Sequence, residues 1–513
     1  MFGVVKKLVS GILITPKLRE AVESEQPKQP ASSASTEQMD DHHHHQQQQQ
    51  PEDHQVDKLQ REPSKGKKEA EDKPERPKSE WVVSIKELEQ LCREDVESPG
   101  PTPSICRIPH YLKDGEDNAW VPQIVSLGPY HHGKKHLRHM EQHKVRCLHR
   151  ILWRARHEKK IFLDSVREVE GRARTCYEGE IPMSSEEFVE MMVLDGCFVI
   201  ELFLGFIFGF EKLGHPRNDS VFSVRRSMHK IQGDMIMLEN QIPLFMLDRL
   251  LGLQLGDPNQ KGLAAKLALR FFKPRQPTDD PQTLLSGNGM EFDQLSDQCE
   301  LHCLEVLRWS LLHSGPKRVE NQGPSQRRQQ LIHCAMELWE AGIEFKKRKT
   351  DKFWDIQFKN GILYIPQLVI HDGTRSLFLN LIAFEQCHFD CSNHITAYVI
   401  FMDNLINSPE DVGRLHSCGI IEHWLGSNAE VANLFNRLCQ EVAFDIKDSY
   451  LYGLSVEVNE YYSNKWNGWI ASLKHKYFSN PWSIISVIAA SILLVLTFTQ
   501  TFYGVYAYYR PAS

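Results

Sequence analysis

Residues 481–506 read PWSIISVIAASILLVLTFTQTFYGVY, and no charged residue stands between Ile484 and Val505. About 20 apolar residues rising roughly 1.5 Å each cross a hydrocarbon layer of about 30 Å, so the stretch predicts one transmembrane helix. Trp482 on one flank and Tyr503, Tyr506, Tyr508 and Tyr509 on the other stand where interfacial aromatic belts form. Ser486, Ser491, Thr497 and Thr499 dilute the run, but a helical hydroxyl can bond a carbonyl one turn back, and Gln500 sits near an end. The competing reading is a core helix of a water-soluble body. The expected span is 481–506, with a short tail at 507–513. No convincing signal segment precedes the body, and Lys474 and Lys476 lie before the span against Arg510 after it. By the positive-inside bias the body is then cytosolic, tail-anchored by a single pass in the plasma membrane or an endomembrane.

A second apolar run, Met191 to Phe210, competes for the membrane, but it carries Asp195 and Glu201. A carboxylate at a helix centre costs about 2.5–3.5 kcal/mol on insertion scales, so this run is expected to be a buried helix of the body. Gly205 and Gly209 have the spacing of a membrane dimer motif and are expected to let helices pack closely.

Sixty Lys and Arg stand against 67 Asp and Glu, a formal charge of −7, so the basic footprint of a nucleic-acid binder is missing. Twelve cysteines are scattered from Cys92 to Cys439 without the dense spacing of a stapled secreted domain, which fits reduced cytosolic thiols. At the front, Phe2, Val5, Leu8, Val9, Ile12 and Leu13 recur at helical spacing with Lys6 and Lys7 opposite. Residues 1–24 therefore read as a short amphipathic surface helix, as a frayed end, or less well as a signal peptide with a short apolar run. From 25 to 80 the composition turns to Gln, Pro, Ser, His, Lys and Glu, including His42 to His45 and Gln46 to Gln50. Residues 1–80 are expected to be a disordered low-complexity arm, whose histidines have nothing to orient them on a metal.

Order is expected from Trp81, and residues 81–476 form the body. Ser84 with Glu87 makes a capping-box pattern ahead of Ile85, Leu88, Leu91 and Cys92. The same 3.6-residue pattern recurs in Leu331, Cys334, Ala335 and Leu338 with Gly342 as a stop, in Ile395, Tyr398, Val399, Met402 and Ile406, and in Val431, Leu434, Phe435, Leu438 and Val442 after Ser427 and Glu430. Asn360-Gly361 separates two β-rich runs within Phe353 to Ile370 and predicts a tight hairpin. Polar stretches near 256–289 and 314–328 read as surface insertions. The fold expected is mainly α: a large helical cytosolic body, a small β-hairpin element and one C-terminal transmembrane helix.

Several blocks resemble one plant family. Ile108-Pro109, Val125 to Gly133 (VSLGPYHHG), Met140-Glu141 with Lys144, Leu194 to Phe198, and Leu238 to Pro243 (LENQIP) come first. Ala341-Gly342 with Phe345-Lys346, Leu363 to Pro366, Asn380 to Cys387, Asp411-Val412, Gly419 to Ile421, Tyr477-Phe478 and Pro481-Trp482 follow in order. Together they resemble the family known as domain of unknown function 247, the UPF0481 proteins. The resemblance covers about Trp81 to Phe502; the His/Gln tract and the two insertions depart from it. It implies a membrane-associated protein of flowering plants with no established activity, some relatives being implicated in recognition between pollen and stigma. It supplies no catalytic residues.

For chemistry, His132, His136, His139 and His143 fall on one face if the segment after Gly133 is helical, but Glu141 is misplaced for the base of a zinc protease. Cys387, His388, Cys391 and His394, and Cys299 with Cys303, lack the paired knuckle of structural zinc sites and read as core cysteines on helices. Glu239-Asn240-Gln241 before Pro243, and Glu385-Gln386 in a helix capped by Thr374, are expected buried polar groups; Glu385 shares a stripe with Phe378, Leu381 and Ile382 and so needs a partner. No catalytic, cofactor-binding or metal-binding residue is assigned. A membrane-tethered interaction or signalling protein, with the bilayer and an unidentified protein as partners and no nucleic acid, is the expected function. A membrane-associated metal-dependent hydrolase is the alternative.

Overall fold

The computed structural model describes residues 103–113, 119–222, 224–257, 259–275, 301–312, 331–350, 352–388, 390–464 and 481–509. The N-terminal arm, the helix expected after Ser84, Cys299, residues 276–289 of the first insertion and all of the second lie outside the described residues.

The described residues are mainly helical, with fifteen α-helices and five short strands. A first group comprises α1 (His139–Ala155), α2 (Lys159–Arg167), α3 (Glu170–Thr175), α4 (Ser185–Phe208), α5 (Arg225–Asp234), α6 (Leu244–Leu255) and α7 (Leu263–Phe272). Helix α4 is its axis. Ser184 accepts the Glu187 N–H while the Glu187 carboxylate accepts the Ser184 N–H, which fixes the first turn. From Phe188 onward the helix is apolar on nearly every side, and α1, α2, α6 and α7 pack around it. A side chain at Gly196 would meet Leu250 Cδ1 at 2.5 Å, so glycine is what lets α6 close on α4. Gly205 and Gly209 work differently from the expected helix packing. The chain leaves the helix at Gly209, and the Phe210 ring folds back over Gly205, within 2.2 Å of where a Cβ would sit.

The range 256–289 is not one surface insertion, because LAAKLALRFF within it forms α7. Leu263, Leu267, Phe271 and Phe272 are buried there, with the Phe271 ring 5.2 Å from that of Phe203 on α4. The apolar periodicity of ten residues outweighs the polar flanks.

A second group holds α8 (Cys303–Leu312), α9 (Ala335–Glu340), α10 (Thr374–Cys387), α11 (His394–Leu405), α12 (Pro409–Ser417), α13 (Asn428–Leu438) and α14 (Tyr452–Ser463). Helices α10, α11 and α13 pack on one another, and α8 touches both α7 and α10, joining the groups. The expected stripe Ile395, Tyr398, Val399, Met402 and Ile406 is wholly buried. The box expected at Ser427 is half made: Ser427 accepts the Glu430 N–H, but the Glu430 carboxylate takes the Gly426 N–H. Thr374 is the first residue of α10 rather than its cap, and its hydroxyl accepts the His371 N–H.

The predicted hairpin is present. Asn360 (φ 51°) and Gly361 (φ 76°) are both left-handed, the two-residue turn that matches strand twist, and they join β2 (Gln357–Lys359) antiparallel to β3 (Ile362–Pro366). The β structure extends beyond it: β1 (Glu344–Arg348) lies parallel to β3 in the order β1-β3-β2, and β4 (Leu368–Ile370) pairs in parallel with β5 (Ile421–His423).

Helix α15 (Pro481–Tyr509) is apolar on all sides. Ser486, Ser491 and Thr497 donate to the carbonyls of Trp482, Val487 and Leu493 at 3.0, 2.8 and 2.7 Å, the return bonds expected of them, and Thr499 does the same to Val495.

Candidate functional site

Residues 120–133 contain the signature VSLGPYHHG, run without regular structure, and bury Val125, Ser126, Leu127 and Gly128. Their N–H groups have no ladder to join, and each left unpaired would cost about 1–3 kcal/mol. Side chains supply the acceptors. At the end of α5, Asp234 Oδ1 accepts from Gln123 N (2.9 Å) and Oδ2 from Ile124 N (2.7 Å) and Val125 N (2.9 Å). Asn240 Oδ1 accepts from Leu127 N at 2.7 Å, while its Nδ2 donates to Val125 O and Asp234 O. Asp195 Oδ2, from the middle of α4, accepts from Gly128 N at 3.0 Å. Gly128 has φ 70°, and a Cβ there would lie 2.5 Å from Gln241 O, so the bend admits no side chain.

Lys144 of α1 completes the arrangement. Its ammonium lies 2.6 Å from Asp195 Oδ1 and donates to Ser126 O (2.8 Å) and Glu141 Oε1 (2.7 Å), with no exposed surface of its own. Burial works against the charge, but Asp195 and Glu141 outweigh it and hold the Lys144 pKa above its ordinary value.

The block Leu238 to Pro243 carries the network onward. Gln241 donates to Met235 O and Met237 O, and Glu239 accepts from Ile108 N (2.8 Å) and the Lys113 ammonium (2.8 Å). Leu238 N donates to Asn380 Oδ1 (2.9 Å), and Asn380 Nδ2 donates to Ala119 O and Ser376 O, so one amide of α10 ties the two helical groups together. Glu385, one helical turn further, has the partner its position demanded. Oε1 accepts from Arg308 Nε (3.0 Å), Arg308 Nη2 (2.8 Å) and Ile395 N (3.1 Å), and Oε2 from Thr396 N (2.8 Å) and Thr396 Oγ1 (2.7 Å). The carboxylate therefore anchors α8 and caps the first turn of α11. These groups are saturated by backbone and by one another, and the arrangement holds shape rather than offering a free acid or base.

The histidine row is not one helical face. After Gly133 the chain makes a single 3-10 turn, Lys135–Leu137, and α1 begins only at His139. His136 Nε2 lies 3.0 Å from Pro122 O and His139 Nδ1 3.1 Å from His136 O; Glu141 is taken by Lys144. In the second cluster His388 stacks on Phe384, with Nδ1 2.8 Å from Phe384 O and Nε2 3.7 Å from Cys106 Sγ. The hydrogen bond between Cys106 and Cys387 lowers the Cys387 thiol and raises that of Cys106. His394 instead meets the Tyr450 ring, and burial pushes Cys391 up to about 11 and Cys303 to about 12. Among the described residues no three His, Cys, Asp or Glu side chains converge as a metal site.

Sequence reasoning missed a second buried ionic cluster. Arg154 of α1 grips both oxygens of Glu201 on α4 and donates to Leu213 O, and His215 Nε2 lies 2.6 Å from Glu201 Oε1. Arg150 Nη1 points at His215 Nδ1 (3.0 Å), which assigns the imidazole proton to Nε2, where it donates to Glu201. The signal was present: Lys144 and Arg154 sit on the apolar side of α1, as Asp195 and Glu201 sit in an apolar helix.

Replacing Lys144 by Met strands Asp195 in the interior and is expected to cost about 3–5 kcal/mol of stability. The double variant Lys144→Met/Asp195→Leu is expected to cost less than the two singles summed, by about 1–3 kcal/mol in a thermal or denaturant cycle; additive losses would contradict a coupled pair. A pH effect follows from His131 and His302, each lowered to about 3, chiefly by burial. Their folded pKa lies below the unfolded value near 6.5. The unfolded chain then binds more protons between pH 6.5 and 3, and stability falls as pH drops through that window, by about 1.4 kcal/mol per pH unit for each histidine. Relative to the parent chain, His302→Gln should lose less of its thermal midpoint as pH falls just below 6.5; an unchanged slope would contradict it.

Comparison with known proteins places the chain. A family model described as a plant protein of unknown function, domain of unknown function 247, matches residues 105–496. The UPF0481 protein At3g47200 of Arabidopsis thaliana is 32% identical over 428 residues, 79% of this chain and 86% of that protein. The putative UPF0481 protein At3g02645 of the same plant is 25% identical, over 82% of this chain and 94% of that protein. No solved structure gives a significant match. With blocks from Ile108 to Trp482 inside the matched range, the chain belongs to the plant family of domain of unknown function 247, the UPF0481 proteins.

Proposed function

We propose that this is a single-pass membrane protein that presents its helical body to the cytosol and acts there by recognising a protein partner. One observation carries the membrane reading. Helices α4 and α15 have the same mean hydropathy, yet the apolar window of α4 is 78% buried within the protein and that of α15 is 0% buried. An uncovered apolar surface of 23 residues far exceeds the few hundred Å² that a soluble protein usually exposes, and a bilayer is the solvent that would cover it. The hydroxyls that return to their own helix leave few polar groups for lipid to meet. Lys474 and Lys476 favour a cytosolic body.

Recognition is the activity these features support best. The buried carboxylates and amides of the body are committed to backbone donors, and tethering to a membrane raises the effective concentration of a weak binder toward its neighbours. The hydrolase alternative drew on the histidine row, of which His132 and His136 precede α1 and only His139 and His143 lie on it.

In plant microsomes washed with alkaline carbonate the full chain should stay with the membrane, and a form lacking residues 481–509 should wash off. Protease added to sealed vesicles with the cytosolic face outward should digest the body. Asn218, the exposed acceptor of the sequon Asn218-Asp219-Ser220, should carry no glycan. Carbonate release of the full chain would contradict the span, and a glycosylated Asn218 would contradict the orientation.

A further inference from the structure

The cations of α1 divide by face. Lys144 and Arg154 are buried and paired with Asp195 and Glu201 and Arg150 points at His215, whereas Arg146 is exposed, as are Arg138 and Arg156 at the two ends of the helix. Among the described residues no carboxylate forms an ion pair with these three. Arg138, Gln142, Val145, Arg146, His149 and Trp153 form one stripe at helical spacing, about 22 Å long at 1.5 Å per residue, and Arg156 (φ 57°) follows just past the helix end. The stripe contains no acid. Residues 134–160 carry ten Lys and Arg against two Asp and Glu in a chain whose formal charge is −7, so this charge is concentrated here rather than inherited from composition. Within it Trp153 is 65% and Val145 52% exposed, and Ile161, at the start of α2, is 42% exposed.

Arginines flanking an exposed tryptophan and small aliphatic side chains match the headgroup region of an anionic leaflet. The guanidiniums meet phosphate and carboxylate, and the indole rests at the interface with its N–H wet. We infer that the exposed face of α1 is a second membrane contact that docks the body onto anionic lipid, in addition to the span. The location rests on the membrane reading above; the lipid chemistry rests on the stripe. Reach allows it. Between Ser463 and Pro481 lie 17 residues, at most about 60 Å when extended, against a radius of gyration near 21 Å for a body of this size.

The test uses the full chain held in nanodiscs of phosphatidylcholine, mixed with sedimentable vesicles of phosphatidylcholine alone or with phosphatidylserine at about 7:3, a composition that places anionic charge on the surface. The expected result is sedimentation with the anionic vesicles only, reversed by high salt, weakened at least tenfold in Arg138→Glu/Arg146→Glu/Arg156→Glu and several-fold in Trp153→Ala. Matching thermal midpoints would show that both variants fold. Uptake into the discs reports on the span, and vesicle binding reports on the stripe; a chain that stays soluble without discs takes the vesicle assay directly. Equal binding to neutral vesicles, no binding to anionic ones, or full binding by the triple variant would overturn the inference. So would capture by an acidic polypeptide or by RNA with the anionic vesicles ignored.

Discussion

An irregular stretch of backbone can lie inside a protein only if something other than a helix or a sheet takes its hydrogen bonds, and residues 123–128 put this chain under that constraint. Five of the six backbone donors from Gln123 to Gly128, all but that of Ser126, end on Asp234, Asn240 and Asp195. Each acceptor belongs to a different part of the first helical group, so satisfying the segment fixes those parts relative to one another. Lys144 returns the negative charge of Asp195 and takes the Ser126 carbonyl as well. Asn380 and Glu385 extend the same device into the second group, where a side-chain amide and a carboxylate again do what a ladder does elsewhere. A half-satisfied version of such a network would be worse than an apolar core, which is why its members act as a unit.

The two long apolar helices show how charge decides the fate of similar sequences. Two carboxylates in a bilayer would cost α4 about 5–7 kcal/mol, whereas inside the protein each meets a cation of α1 and further donors. The large side chains of α4, worth about 1.5–3 kcal/mol apiece when buried, then favour packing against α6 and α7. Helix α15 has no acid to place and, among the described residues, no protein surface over it.

Much of this was legible in the sequence, and the rest failed for identifiable reasons. A carboxylate at Glu385 on an apolar stripe announced the need for a partner, but Arg308 lies 77 positions away and nothing local points to it. Asn360-Gly361 announced its own hairpin because the turn is local, whereas β1 and the β4–β5 pair are parallel and reach partners without a turn signal. Histidines spaced four, three and four suggested one face, yet the chain turns at Gly133 and α1 starts only at His139. The polar residues either side of α7 hid a core helix in a range that read as an insertion. What no local pattern conveys is which distant donors a buried acid will serve, and the network around Asp195 and Asp234 consists of such pairings.

The most direct test of that network is native-state hydrogen exchange of the amides of Ile124, Val125, Leu127 and Gly128 in the full chain. If side chains hold this irregular segment as part of the core, these amides should exchange as slowly as those in the middle of α4, through global unfolding, since each donates to a buried acceptor. Exchange as fast as that of an exposed loop would contradict the account, for it would mean that the segment opens without disturbing the helices it is said to organise.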